Sequence, residues 1–167
     1  MGQDRYLSIY LNDHLAGAAA GVELARRMVA GNRGSPELRE PLERVCAEIE
    51  ADRETLERVM ESLTVRRSTV KPAAGWLLEK LGRLKLNGQL RGYSPLSRVV
   101  ELEGLCLGIS GKIELWRALE QALGAEWSGF DFRQLGERAE RQRATVEELH
   151  GAAVIPTFSA GPYSSRS

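Results

Sequence analysis

Two ionisable residues, His14 and Asp52, fall at otherwise apolar positions of this 167-residue chain. Each interrupts the apolar stripe of a predicted helix, and antiparallel pairing of the two helices would bring them face to face. A buried imidazole beside a carboxylate is suited to acid–base chemistry. The alternatives are a buried polar pair that fixes the register of the helices, or a pair with one partner in solvent. We favour the register pair, because no Ser or Cys nucleophile is matched to His14.

Small residues are concentrated in two of the predicted helices, over Ala16–Gly21 and at Gly104, Gly108 and Gly111. A glycine inside a helix costs about 1 kcal/mol relative to alanine. Such clusters usually allow two backbones to approach closely, and we expect close packing here. A dimer seam and a ligand pocket are the alternatives.

A basic segment separates the two halves of the chain. The second predicted helix is net acidic, so attraction between this segment and the helices is the simplest interpretation. The alternatives are a site for an anionic partner and a set of solvated surface charges. Nucleic acid is not expected, because the formal net charge is zero and no RNA-binding signature occurs. The positive residues are Arg66, Arg67, Lys71, Lys80, Arg83, Lys85, Arg91 and Arg98.

Four long helices are predicted to position these groups. Apolar residues recur at helical spacing over about residues 4–34, 35–63, 94–124 and 131–153. The last helix is expected to stop before Pro156. Start signals precede three of the helices: Ser35-Pro36, Ser94-Pro95, and Asp131 with Gln134 three residues later.

The connection over residues 64–93 determines the predicted topology. It is long enough to run the length of the molecule, so that the third helix is parallel to the second. We therefore predict an all-α fold, a four-helix bundle of two antiparallel hairpins with a long crossover. Within the crossover we expect a short helix over Ala73–Leu84 and a short hairpin around Asn87-Gly88.

This layout over Asp4–Ala153 resembles the ferritin-like four-helix-bundle class. Residues 82–98, GRLKLNGQLRGYSPLSR, also resemble small uncharacterised bacterial helical proteins. Ferritin-like di-metal proteins place a Glu on two helices and a Glu-x-x-His on the other two, a spacing that Glu147 and His150 share. The resemblance implies a di-metal site for Fe or Mn, and its candidate ligands are Glu23, Glu43, Cys46, Glu103, Glu147 and His150.

The second helix departs from that pattern, because Glu43-x-x-Cys46 lacks a histidine. The alternative is that these residues are solvated surface groups.

The domain prediction is a single helical domain over residues 1–153, followed by a flexible tail over 154–167 rich in Ser, Gly and Pro. The absence of a leader or a membrane-length apolar run, together with two cysteines, indicates a cytoplasmic protein with reduced thiols. We expect a non-catalytic interaction or oligomerisation protein, a homodimer or a binder of a protein partner, without a cofactor. The alternatives are a divergent ferritin-like metal-binding protein or oxidoreductase, and an anion-binding protein that uses the basic crossover.

Overall fold

A computed structural model describes residues 2–68 and 94–159 of the chain. Four helices make up most of these residues, and a two-stranded antiparallel hairpin joins the third helix to the fourth. The prediction of an all-helical protein with four packed helices is confirmed. The elements are α1 (Gly2–Gly31), α2 (Pro36–Ser62), α3 (Pro95–Leu123), β1 (Glu126–Trp127), β2 (Phe130–Asp131) and α4 (Phe132–Phe158).

Local hydrogen bonds explain where two of the helices begin. The hydroxyl oxygen of Ser94 accepts a bond from the backbone N–H of Ser97 at 3.0 Å. The carboxylate of Asp131 accepts one from the backbone N–H of Gln134 at 2.8 Å. Each cap satisfies an N–H that the helix itself leaves without a partner, and both caps were predicted.

The end of α4 corrects the sequence-based prediction. Pro156 lies inside this helix, which continues to Phe158. Proline removes only one helical hydrogen bond at this position, near the last turn, and the hydroxyl of Thr157 donates to the carbonyl oxygen of Ala153 at 2.7 Å. Residues 154–158, which we placed in the tail, therefore belong to α4, and residues 160–167 lie outside the described part of the chain.

The hairpin between α3 and α4 was missed by the sequence analysis. Its two-residue turn is Ser128-Gly129, with φ angles of 51° and 81°, the left-handed backbone that such turns require. The rings of Trp127 and Phe130 stack with centroids 6.4 Å apart, and this contact stabilises the pairing of the two strands. The hairpin that we predicted around Asn87-Gly88, and the short helix before it, lie outside the described residues.

The helices pack around one continuous apolar core. Helix α1 contacts α2 and α3, whereas α4 contacts α3 and α2. The largest fully buried side chains include Trp116, Phe132, Leu11, Met28, Leu42, Met60, Leu102 and Ile113.

Cys46 and Cys106 are free thiols, and burial raises the pKa of each to about 11. None of the described helices has the length and apolar character needed to cross a membrane.

Candidate functional site

A cluster of ionised and polar side chains lies inside the bundle around Asp52, which is only 2% exposed. One carboxylate oxygen of Asp52 accepts hydrogen bonds from Lys112 Nζ at 2.5 Å and from Gln142 Nε2 at 3.1 Å. Its other oxygen accepts a bond from Arg138. Lys112 Nζ also donates to Gln142 Oε1 at 2.5 Å. This buried ion cluster (Asp52, Lys112, Arg138 and Gln142) joins α2, α3 and α4.

The buried ion cluster contains more positive than negative charge. Asp52 carries one negative charge, whereas Lys112 and Arg138 each carry one positive charge. Burial lowers the pKa of Lys112, and the nearby Arg138 adds to that effect, whereas Asp52 and the exposed Glu48 oppose it. A single buried carboxylate therefore pairs with two cations, of which Lys112 is 13% exposed and Arg138 is 30% exposed. The charge of Lys112 is the more costly to leave unbalanced, because it is the more buried of the two.

A cavity of about 280 Å³ lies next to this cluster and is bounded by α1, α2 and α3. Its walls are mainly apolar, with contributions from Leu, Ile, Ala, Gly and Trp residues. The ionisable side chains that line it are Asp13, His14, Asp52, Arg53 and Lys112. The cavity thus combines apolar walls with a small number of polar groups, two of which belong to the buried ion cluster.

Five glycines form much of the wall contributed by α1 and α3. They are Gly17 and Gly21 on α1, and Gly104, Gly108 and Gly111 on α3. At four of these positions, all but Gly104, an added Cβ atom would meet no heavy atom of the described residues within 4 Å. The close packing that we expected from the small residues is therefore not found at these positions, and the glycines instead border open space.

His14 and Asp52, which we predicted to face each other, both line the cavity. Both lie in the described part of the chain, and no hydrogen bond joins them there; Asp52 is instead bonded to residues of α3 and α4. The ring of His14 makes an edge contact with Tyr10, with centroids 4.5 Å apart. Burial lowers the pKa of His14, and Asp13 partly opposes this shift.

The residues proposed as metal ligands are dispersed, and only one pair of them meets. His150 Nε2 lies 3.2 Å from a carboxylate oxygen of Glu103. Within residues 2–68 and 94–159, no three His, Cys, Asp or Glu side chains are grouped closely enough to hold a metal ion. These residues do not fit the di-metal centre that the ferritin-like resemblance implies. The other four contact separate neighbours: Glu23 pairs with Arg26, Glu43 with Arg39, Cys46 with Glu50, and Glu147 with Arg143.

Three of the basic residues singled out in the sequence are described. Arg67 pairs with Glu57 at 3.0 Å and also with Glu61, both on α2. Arg98 donates to the side chain of Asn32 at 2.8 Å, and Arg66 is exposed. The contacts of Arg67 agree with attraction between the basic segment and acidic α2. The remaining candidates, Lys71, Lys80, Arg83, Lys85 and Arg91, lie outside the described residues.

The sequence analysis missed Lys112 and Arg138 as partners of Asp52. A signal for Lys112 was present, because it lies three residues after Ile109 and four before Trp116, on the buried stripe of α3. Arg138 lies one helical turn before Gln142, and it is identified only once α2 and α4 are placed side by side.

Comparisons with protein-family models, with curated proteins and with solved structures give no match for this chain.

Proposed function

We propose that this protein is a small-molecule-binding helical bundle that holds a ligand with a largely apolar body in the cavity beside Asp52 and Lys112. The observation that carries this proposal is the cleft between α1 and α3, where none of the described residues fills the space at Gly17, Gly21 and Gly108, and where Gly17 and Gly108 are exposed at its opening. Helices that face each other in a protein normally pack with few gaps larger than a water molecule. A ligand that occupies the space would restore the contacts that the glycines leave unmade.

The composition of the cavity wall supports the same proposal. Small-molecule sites are usually concave and largely apolar, with a few polar groups that orient the ligand. An engineered apolar cavity of about 150 Å³ in another protein is large enough to bind benzene. The cavity described above, at about 280 Å³, has room for a longer aliphatic or aromatic molecule.

The test is binding of an uncharged apolar probe, octan-1-ol, measured by isothermal titration calorimetry. We expect saturable binding to the unmodified protein and weaker binding in Gly108→Leu, which adds a side chain at a position that lines the cavity. Gly151→Leu is the matched control, because Gly151 is also helical and unobstructed but does not line the cavity. Absence of binding to the unmodified protein, or equal binding to both variants, would contradict the proposal.

We further propose that the four helices follow the ferritin-like order, with two antiparallel hairpins and with α3 parallel to α2. The contacts that support antiparallel hairpins are Arg26 with Glu50, Asn12 with Arg66, Arg117 with Glu140, and Glu103 with His150. The bond from Arg98 to Asn32 brings the start of α3 to the end of α1. Spin labels at Glu37 and Leu96 should therefore lie closer together than labels at Glu61 and Leu96.

Self-association or binding of a protein partner is a second candidate function. Its support is that Tyr6, Leu107 and Ile155 expose most of their side chains, and exposed apolar groups are common at interfaces when they form a continuous patch. Sedimentation equilibrium tests self-association, and a monomer over the whole accessible concentration range would remove the homodimer.

A further inference from the structure

The cation that faces the cavity points to the chemical class of the ligand. Lys112 and Asp52 are buried and line the cavity, whereas Arg138, which also pairs with Asp52, is about a third exposed and does not line it. Lys112 lines the cavity, and its side chain is only 13% exposed. A cation in such surroundings is stabilised by an anion that enters the apolar space.

The hydrogen bonds of Lys112 leave room for that anion. An ammonium group has three N–H donors, and Asp52 and Gln142 accept from Lys112 at 2.5 Å each. In the part of the chain that the structure describes, no acceptor contacts the third donor. A ligand carboxylate would supply both the missing acceptor and the missing negative charge.

We propose that the cavity binds an apolar monocarboxylate, with the acid group at Lys112 and the hydrocarbon body against Gly17, Gly21 and Gly108. This inference rests on the proposed function, since it names the ligand of the same cavity. The apolar walls select a hydrocarbon body, whereas the cation of Lys112, with one N–H donor open toward the cavity, selects an acid over an alcohol or an amine of the same length.

The other ionisable groups at the cavity leave this charge balance in place. Arg53 is paired with Glu57 at 3.1 Å, and Glu57 also pairs with Arg67, which in turn pairs with Glu61, so these two cations and two carboxylates offset one another. Asp13 is exposed, and solvent screens its charge. Burial favours the neutral form of His14. Both oxygens of Asp52 already accept hydrogen bonds from the buried ion cluster, so the group that is open to an entering carboxylate is Lys112.

The test compares octanoate with octan-1-ol, which share one chain length and differ in the charged end group. We expect the unmodified protein to bind octanoate more tightly than octan-1-ol by roughly tenfold or more, the effect of one hydrogen bond to a charged group. In the series from hexanoate to octanoate, affinity should rise about fourfold for each added methylene.

Lys112→Met is the decisive variant, because it removes the cation and leaves Asp52 bonded to Arg138 and Gln142. It should lose the preference for octanoate and keep its affinity for octan-1-ol. Arg53→Met is the matched control, since it removes another cation that lines the cavity but is already paired with Glu57. That variant should retain the preference. If Lys112→Met fails to fold by circular dichroism, Lys112→Gln gives the same comparison with a polar side chain in place.

The outcomes separate this inference from the proposed function. Equal affinity of the unmodified protein for octanoate and octan-1-ol would overturn the inference and leave a cavity that binds neutral apolar ligands. An octanoate preference that persists in Lys112→Met would also overturn it. Binding of neither probe would contradict the proposed function itself.

Discussion

Helix α3 has two faces that are built differently. Toward α4 it presents large side chains, and the rings of Trp116 and Phe132 stack with centroids 6.3 Å apart. Toward α1 it presents glycines beside the cavity. The contrast is clearest between Gly136 on α4 and Gly108 on α3: an added Cβ atom at Gly136 would lie 4.0 Å from Trp116 Cβ, whereas one at Gly108 would meet nothing.

This difference shows that a glycine-rich helix has more than one physical meaning. At Gly136, Trp116 of the neighbouring helix occupies the space beside the glycine. At Gly108, none of the described residues occupies the corresponding space. The tightly packed α3–α4 face provides apolar burial, so the α1–α3 face can keep a cavity without loss of the fold.

The largest predicted effect concerns Asp52, which connects the two faces through Lys112 and Arg138. We expect Asp52→Ala to lower the free energy of unfolding by roughly 3–5 kcal/mol, because it leaves two cations without their buried carboxylate. Urea denaturation measures this loss. Asp13→Ala, at an exposed residue of the same cavity, is the control and should change stability by no more than about 0.5 kcal/mol. Equal effects of the two changes would show that the buried ion cluster does not hold the helices together.

The next prediction compares the two glycines directly. Gly136→Leu should destabilise the protein by about 1–3 kcal/mol, because its Cβ atom would already be in van der Waals contact with Trp116 and the atoms beyond it must be fitted between α3 and α4. Gly108→Leu should be neutral or stabilising, since it removes a helix-destabilising glycine worth about 1 kcal/mol and fills the cavity. Thermal unfolding of both variants measures the difference, and a greater loss at Gly108 would show that the cavity is occupied by other parts of the chain.

The smallest predicted effect is a pH dependence from His14 on the cavity face. Its pKa is lowered from the ordinary value of 6.5 by burial, so the unfolded chain takes up a proton before the folded protein does. The stability contribution of neutral His14 is therefore complete above pH 6.5 and is lost as the pH falls from there through the lower folded pKa. The free energy of unfolding, measured with urea between pH 7.5 and 5, should depend less steeply on pH in His14→Gln than in the unmodified protein. An equal slope in the two proteins would show that His14 does not contribute to the pH dependence.

Much of the fold could be predicted from the sequence because it depends on local patterns. The four apolar stripes, and the caps at Ser94 and Asp131, involve residues within one or two helical turns of each other. The prediction that α4 stops before Pro156 was wrong, because a proline near the last turn of a helix removes few helical hydrogen bonds. The strand pairing between Glu126 and Asp131 is too short to leave an alternating pattern.

The candidate site was less predictable, because it depends on distances between helices. Asp52 and His14 were recognised as polar residues in apolar stripes, but we predicted that they contact each other. The partners Lys112 and Arg138 lie 60 and 86 residues from Asp52 along the chain. The glycines were recognised, yet only the placement of α1 against α3 shows that their space is open.

The most direct test of the cavity as a ligand site is a ¹H–¹⁵N correlation spectrum recorded during titration with octanoate. We expect progressive, saturable shifts of the amide signals of Gly17, Gly21, Gly108 and Gly111, with the signal of Gly151 unchanged. Shifts at Gly151 and over the outer surface, with none at the four cavity glycines, would contradict it.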